Sequence, residues 1–124
     1  MNIHHINIKI KQNKIDETIN LYTKYFGFEV EARFTGANGN PAVMLSNNQI
    51  KIEIFSDEIE EIKGTYQHIA LKVDNLNELV NTLKKDNYNI FIEPKKVNPY
   101  NDVNLMIAFV KGPSNEDIEL VQEI

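Results

Sequence analysis

The chain repeats itself. His5-Ile6-Asn7-Ile8-Lys9-Ile10 returns 63 residues later as His68-Ile69-Ala70-Leu71-Lys72-Val73, keeping the His, the Lys and an apolar residue at every second position. Ile52-Glu53-Ile54-Phe55 returns 66 residues later as Ile118-Glu119-Leu120-Val121. Period-two alternation marks all four stretches as strands with one apolar and one polar face. Each half thus opens on a His-bearing strand and closes on a Glu-bearing one. A repeated supersecondary unit of this size cannot bury its apolar surface alone, so two such units are expected to pair.

Between the echoes both halves read alike. In the first, residues 3–10 form a strand. Asn13, with Asp16 three positions on, suits a helix N-terminus, and Ile15, Ile19, Tyr22 and Phe26 recur at helical spacing until Gly27 stops the helix. Strands follow at 28–34, 42–45 and 49–55, separated by the Gly- and Asn-rich turn 36–41 and by Ser46-Asn47-Asn48. Residues 57–65, acidic at Asp57-Glu58-Ile59-Glu60-Glu61 and containing Gly64, read as a solvated connector. The second half restarts with a strand at 66–73. A helix follows, capped by Asn75 with Glu78 at the reciprocal position and striped by Leu76, Leu79, Val80 and Leu83. A strand at 89–93 ends at Pro94, a loop spans 95–102, and strands at 103–110 and 117–122 flank the turn 111–115. The expectation is an α+β protein: one domain, 1–124, of two tandem βαβββ modules (1–56 and 66–124). Their helices cover the apolar faces, and their other faces curve into an open, barrel-like cleft.

Parity assigns side chains to that cleft. Ile50, Ile52 and Ile54 face the helix, so Lys51, Glu53 and Phe55 face the cleft; Ile118 and Leu120 face the helix, so Glu119 and Val121 face the cleft. His5 and His68 arrive on the same side. Two imidazoles and two carboxylates are good ligands for a borderline divalent metal, and four protein ligands leave room for water or substrate. An open position lets a metal polarise a substrate oxygen. His4 has the parity of Ile6 and is assigned to the opposite face. Lys9 and Lys72 read as solubilising strand-end cations, Tyr22 and Tyr25 as helix packing, and Phe55 and Met106 as core filling rather than pocket lining.

Totals exclude some classes. With 18 acidic residues against 13 Lys and Arg, the net charge of −5 disfavours the clustered cations that nucleic-acid binding requires. No apolar run approaches the ~20 residues of a membrane span, and the N-terminus lacks the basic lead and apolar run of a signal peptide. Having no Cys, the chain must hold any metal through N and O atoms. A cytoplasmic protein acting on a small molecule is expected, without nucleic-acid or membrane partners. The edges of paired modules suit a homodimer.

These residues resemble the vicinal-oxygen-chelate superfamily, and within it glyoxalase I and its glyoxalase-like relatives. The resemblance spans the chain and rests on His5-Ile6, Leu21-Tyr22-Thr23-Lys24-Tyr25-Phe26-Gly27-Phe28 and Ile52-Glu53. It rests also on His68 through Asp74, and on Ile107-Ala108-Phe109-Val110 followed by Ile118-Glu119-Leu120. It implies the paired βαβββ fold and a metal, Ni²⁺ or Zn²⁺ with Co²⁺, Mn²⁺ or Fe²⁺ as alternatives, held by His5, Glu53, His68 and Glu119. It also implies isomerisation of a methylglyoxal–glutathione hemithioacetal, in which Glu119 moves a proton between adjacent carbons and the metal stabilises the enediolate. The chain departs from the family at Gly112-Pro113-Ser114-Asn115-Glu116, which replaces an Asp-Pro-Asp-Gly turn. Alternatives within the superfamily are a ring-cleaving dioxygenase, which Glu53 as a fourth ligand disfavours, and a drug-sequestering protein that needs no metal.

Overall fold

The computed structural model describes residues 3–58 and 67–124. The chain divides into two compact units, Met1–Ile62 and Lys63–Ile124. The connector expected at 57–65 lies outside the described residues except for Asp57 and Glu58, as does Tyr66.

The first unit contains β1 (Ile6–Lys11), a short 3-10 turn (Gln12–Lys14), α1 (Ile15–Tyr25), β2 (Glu29–Thr35), β3 (Pro41–Ser46) and β4 (Lys51–Asp57). Its sheet has the order β1-β4-β3-β2, with β1 parallel to β4 and the other pairs antiparallel. The second unit repeats this with β5 (Ile69–Lys72), α2 (Leu76–Lys85), β6 (Ile90–Val97), β7 (Leu105–Lys111) and β8 (Asp117–Glu123) in the order β5-β8-β7-β6, β5 parallel to β8. The fold is α+β, as the repeat demanded, and each sheet is open rather than closed on itself.

Alternation became burial. Ile8 and Ile10 of β1, Val43 and Leu45 of β3 and Ile52 and Ile54 of β4 form one buried face, together with Ile19, Leu21 and Tyr22 of α1. In the second unit Ile118, Leu120, Ala108 and Val110 are buried with Leu76, Val80 and Leu83 of α2. A fully buried Ile or Leu stabilises by about 1.5–3 kcal/mol. Stability therefore lies on the helix side of each sheet, and the opposite face can carry polar groups.

Three local expectations need correction. Asn13 does not cap α1. It lies inside the 3-10 turn, the residue preceding the helix is Lys14, and no side chain caps it; Asp16 and Glu17 supply the favourable charge in the first turn instead. Pro94 does not end a strand, because β6 runs through it to Val97. As the edge strand it can spare an N–H, and the register slips between Ile92 and Lys95, around the proline. Finally, β1 and β5 start at Ile6 and Ile69, so His5 and His68 each stand one residue before the ladder rather than within it.

The second helix start follows its sequence closely. Asn75 Oδ1 accepts the Glu78 N–H at 3.3 Å, and Asn75 Nδ2 donates to Glu78 Oε2 at 2.8 Å. The Leu76 N–H donates to Gln122 Oε1 of β8 at 2.8 Å, so the sheet satisfies another orphan donor of the first turn. Asn75→Ala should lower unfolding stability by about 1 kcal/mol, as cap removal generally does. Denaturant titration beside Asn13→Ala, which has no cap to lose, checks this; equal midpoints for the two variants would show that the Asn75 cap contributes nothing.

The departure at 112–116 also has a structural account. Asn115 takes the positive φ of 65° that a Gly commonly occupies, and its N–H closes the turn on the Gly112 carbonyl at 2.9 Å. Glu116 folds back, buried, with Oε1 accepting the Ser114 N–H at 2.8 Å. A side chain at position 112 would meet that carboxyl, so Gly stands there.

Candidate metal-binding site

Each unit brings one imidazole to one carboxylate on the face away from its helix. In the first, His5 Nε2 lies 3.5 Å from Glu53 Oε1. In the second, His68 Nε2 lies 3.0 Å from Glu119 Oε2. The cause is the parallel pairing of the first and last strands of each unit. Asn7 stands opposite Glu53 and Ala70 opposite Glu119, so the His two residues earlier is the diagonal neighbour of the same Glu. The ladder then carries a second match four residues further on. Lys9 meets Asp57 at 3.7 Å and Lys72 meets Glu123 at 3.2 Å, because parallel strands advance together at about 3.3 Å per residue. The two lysines are thus exposed cations engaged by acids; Lys72 ends β5 as expected, whereas Lys9 lies within β1.

The surroundings of the two pairs match in exposure. The His side chains are 35% and 36% exposed, and the Glu side chains 20% and 16%. Such half-open groups remain reachable by an ion or a small molecule while their apolar sides are covered. Phe109, opposite Glu119 on β7, packs edge-on against His68 with centroids 5.3 Å apart, and Phe91 joins it at 5.6 Å. In the first unit Phe55 meets Phe34 at 6.5 Å. Met106 has the parity of Ala108 and Val110, on the helix side, but is only partly buried.

Sequence reasoning missed two residues here. Asn7 Nδ2 donates to Glu53 Oε1 at 3.0 Å; the alternation that placed His5 on this face placed Asn7 there too. His4 is the other. Its assignment to the opposite face presumed strand geometry at position 4, but β1 starts two residues later. The His4 and His5 rings meet edge-on with their Nδ1 atoms 2.9 Å apart, one of which must carry the shared proton. This contact occupies His5 Nδ1 and leaves Nε2 on the Glu53 side.

Neutral imidazole nitrogen and carboxylate oxygen form a suitable donor set for a divalent transition metal. Among the described residues no group of three or more His, Asp or Glu that could hold an ion is found; each unit shows one His–Glu pair. Two further lysines on these faces meet acids, Lys51 with Glu31 at 2.9 Å and Lys111 with Asp117. No described helix is long and apolar enough to cross a membrane.

Comparison with known proteins completes the picture. A family model described as the glyoxalase/bleomycin resistance protein/dioxygenase superfamily matches residues 2–120. A glyoxalase family protein from Enterococcus faecalis superposes with a TM-score of 0.75 at 22% identity, covering 97% of this chain and 96% of that one. The trypanothione-dependent glyoxalase I of Leishmania major gives 0.71 at 22% identity, covering 98% and 87%. TnmS3, an antibiotic-binding protein from a Streptomyces species, gives 0.72 at 16% identity, covering 100% and 99%. At these identities the likeness establishes the fold. No protein of curated function matches the sequence significantly.

Proposed function

Because the chain belongs to the glyoxalase/bleomycin resistance protein/dioxygenase superfamily, we propose that it is a metal-dependent lyase or isomerase of the glyoxalase I type, acting on a hemithioacetal of methylglyoxal and a glutathione-like thiol. The observation that carries this reading is the His–Glu pair repeated at matched positions in the two units. A structural ion pair needs no second copy at the same register and with similar exposure, whereas a four-ligand site needs two. His5, Glu53, His68 and Glu119 would hold one divalent ion, Ni²⁺ or Zn²⁺ first. When bound, the ion supplies Lewis acidity to the substrate oxygens as negative charge develops on them.

The chain's own residues supply the rest. The Glu119 carboxylate would accept the proton from the carbon that bears sulfur and hydroxyl and return it to the neighbouring carbonyl carbon, while the hydroxyl proton passes to the oxygen of that carbonyl. The product is a thioester of a 2-hydroxy acid, isomeric with the substrate, so no other reactant is consumed. Phe109 and Phe91 would shield that transfer from water on one side, which strengthens the electrostatics of the step. The protein would work as a homodimer in the cytoplasm.

One observation favours a second reading, a glyoxalase-like enzyme with another substrate. Lys9, Lys51, Lys72 and Lys111 each meet an acidic side chain on the faces concerned. Cations so engaged suit a less anionic substrate than a glutathione adduct. Metal analysis of the purified protein, sedimentation of the same sample and turnover of the methylglyoxal–glutathione adduct test the proposal together. About one divalent ion per site, a dimer mass and adduct turnover are expected. Bound metal without turnover would move the assignment to the second reading, and absence of both metal and turnover would leave a binding protein.

A further inference from the structure

Where α1 gives way to β2 and β3 turns into β4, the first unit has a hollow of about 280 Å³ lined by Gly27, Glu29, Ser46, Asn47 and Asn48. It shares no residue with either His–Glu pair. Its walls are held from behind. The positive φ of 73° at Gly27 turns the chain so that Phe28 is buried against Tyr22, ring centroids 5.9 Å apart, while Glu29 emerges at the surface. A Cβ at Gly27 would meet no atom within 4 Å, so this wall is bare backbone beside open space. Glu29 and Ser46 are the end pair of the β2–β3 ladder. Asn47 Oδ1 accepts the Gln49 and Ile50 N–H groups at 2.8 and 2.9 Å. That locks the turn and leaves the Asn47 NH₂ as the group free to meet an occupant.

The lining contributes no apolar side chain, and its single charge is the Glu29 carboxylate. Neighbouring cations are engaged elsewhere, Lys51 with Glu31 at 2.9 Å and Arg33 with Asp16 at 4.0 Å. Among the described residues the Glu29 side chain has no partner. A matching occupant brings positive charge to Glu29. It also brings an acceptor to the Asn47 NH₂, which an ammonium or guanidinium alone cannot do. The volume lies at the lower bound of ligand pockets, about 300–1,000 Å³, so the hollow takes a small head group. We infer that it is a binding site for a hydroxylated ammonium, the head of an amino alcohol or amino sugar, with Glu29 on the ammonium and Asn47 on the hydroxyl. The Ser46 hydroxyl and Asn48 amide can each donate or accept beside them. Because the turn and the Gly27 corner are set before a ligand arrives, little ordering is lost on binding.

This site stands independently of the metal reading, and the whole chain as purified serves for the test. Ethanolamine is titrated into isotope-labelled protein and followed by amide chemical shifts, with ethylene glycol, ethylammonium and methylguanidinium for comparison. Ethanolamine should give saturable shifts at Gly27, Glu29, Asn47 and Asn48 in the millimolar range, weakened by salt because Glu29 is exposed. Ethylene glycol lacks the charge and ethylammonium the hydroxyl; the first should bind about tenfold or more weakly and the second measurably more weakly. Glu29→Gln should weaken ethanolamine binding about tenfold or more with an unchanged melting midpoint. The ligand comparisons on wild type decide the matter even if that variant misfolds. Absence of saturable shifts at these residues, equal binding of ethylene glycol, or a folded Glu29→Gln that binds as tightly as wild type would overturn the site. Tighter binding of methylguanidinium than of ethanolamine would overturn the ligand class and point to an arginine side chain instead.

Discussion

Glu119→Gln is expected to reduce turnover of the hemithioacetal by on the order of 10²–10⁴-fold, the usual consequence of removing a general base, with only a modest fall in bound metal. The amide keeps the length of the side chain and one ligating oxygen, but it cannot accept the substrate's carbon-bound proton at neutral pH. Its surroundings should tolerate the change. Glu119 is partly exposed, and its contact with His68 Nε2 can be kept by the amide oxygen as acceptor. Glu53→Gln should behave differently. On the proposed assignment Glu53 is only a ligand, so activity and metal affinity should fall together and excess metal should restore much of the rate. Side-by-side metal content and kcat for the two variants decide the matter. If Glu119→Gln reacts at the wild-type rate with metal fully bound, the base is elsewhere, and Glu53 becomes the candidate.

The double variant His5→Ala, His68→Ala should lose metal binding by more than about 100-fold. Loss of a partner behind a ligand already costs about 10–100-fold, and here two ligands are removed while their carboxylates stay behind. Neither His lies in the core: both side chains are over a third exposed and both stand just before a strand. Folding should therefore persist, which separates loss of metal from loss of structure. His4→Ala is the informative companion. Among the described residues His4 reaches only His5 Nδ1, so its removal should loosen one proposed ligand without removing any. Metal uptake by the double variant equal to that of wild type would dismiss the site.

Much of this molecule was written in alternation. Ile8, Ile10, Ile52, Ile54, Ile118 and Leu120 are buried where period two placed them, and the internal echo led to two units of matching strand order. Asn75 with Glu78 marked a helix start because the capping interaction spans only three residues, so nearby residues contain all of it. Asn13 with Asp16 had a similar look and failed, since a 3-10 turn runs directly into α1 and leaves no place for a cap. Pro94 misled for the opposite reason. Whether a proline ends a strand depends on whether its missing N–H faces a neighbour, and only the position of β6 at the sheet edge answers that.

The sequence by itself determined which residues share a face, because side-chain direction along a strand follows from backbone geometry and needs no neighbour. It therefore placed His5 with Glu53 and His68 with Glu119 as candidates, each on the face opposite the helix. Tertiary structure alone decided which atoms meet. The parallel registers of β1 with β4 and of β5 with β8 set Asn7 against Glu53 and Ala70 against Glu119. The start of β1 at Ile6 released His4 from strand parity and let its ring reach His5. Register is a relation between strands more than 40 residues apart in sequence, fixed by the hydrogen-bonded ladder and by the fit of two apolar faces under one helix. No local pattern encodes it, and so the difference between the two glutamates became visible only in the fold.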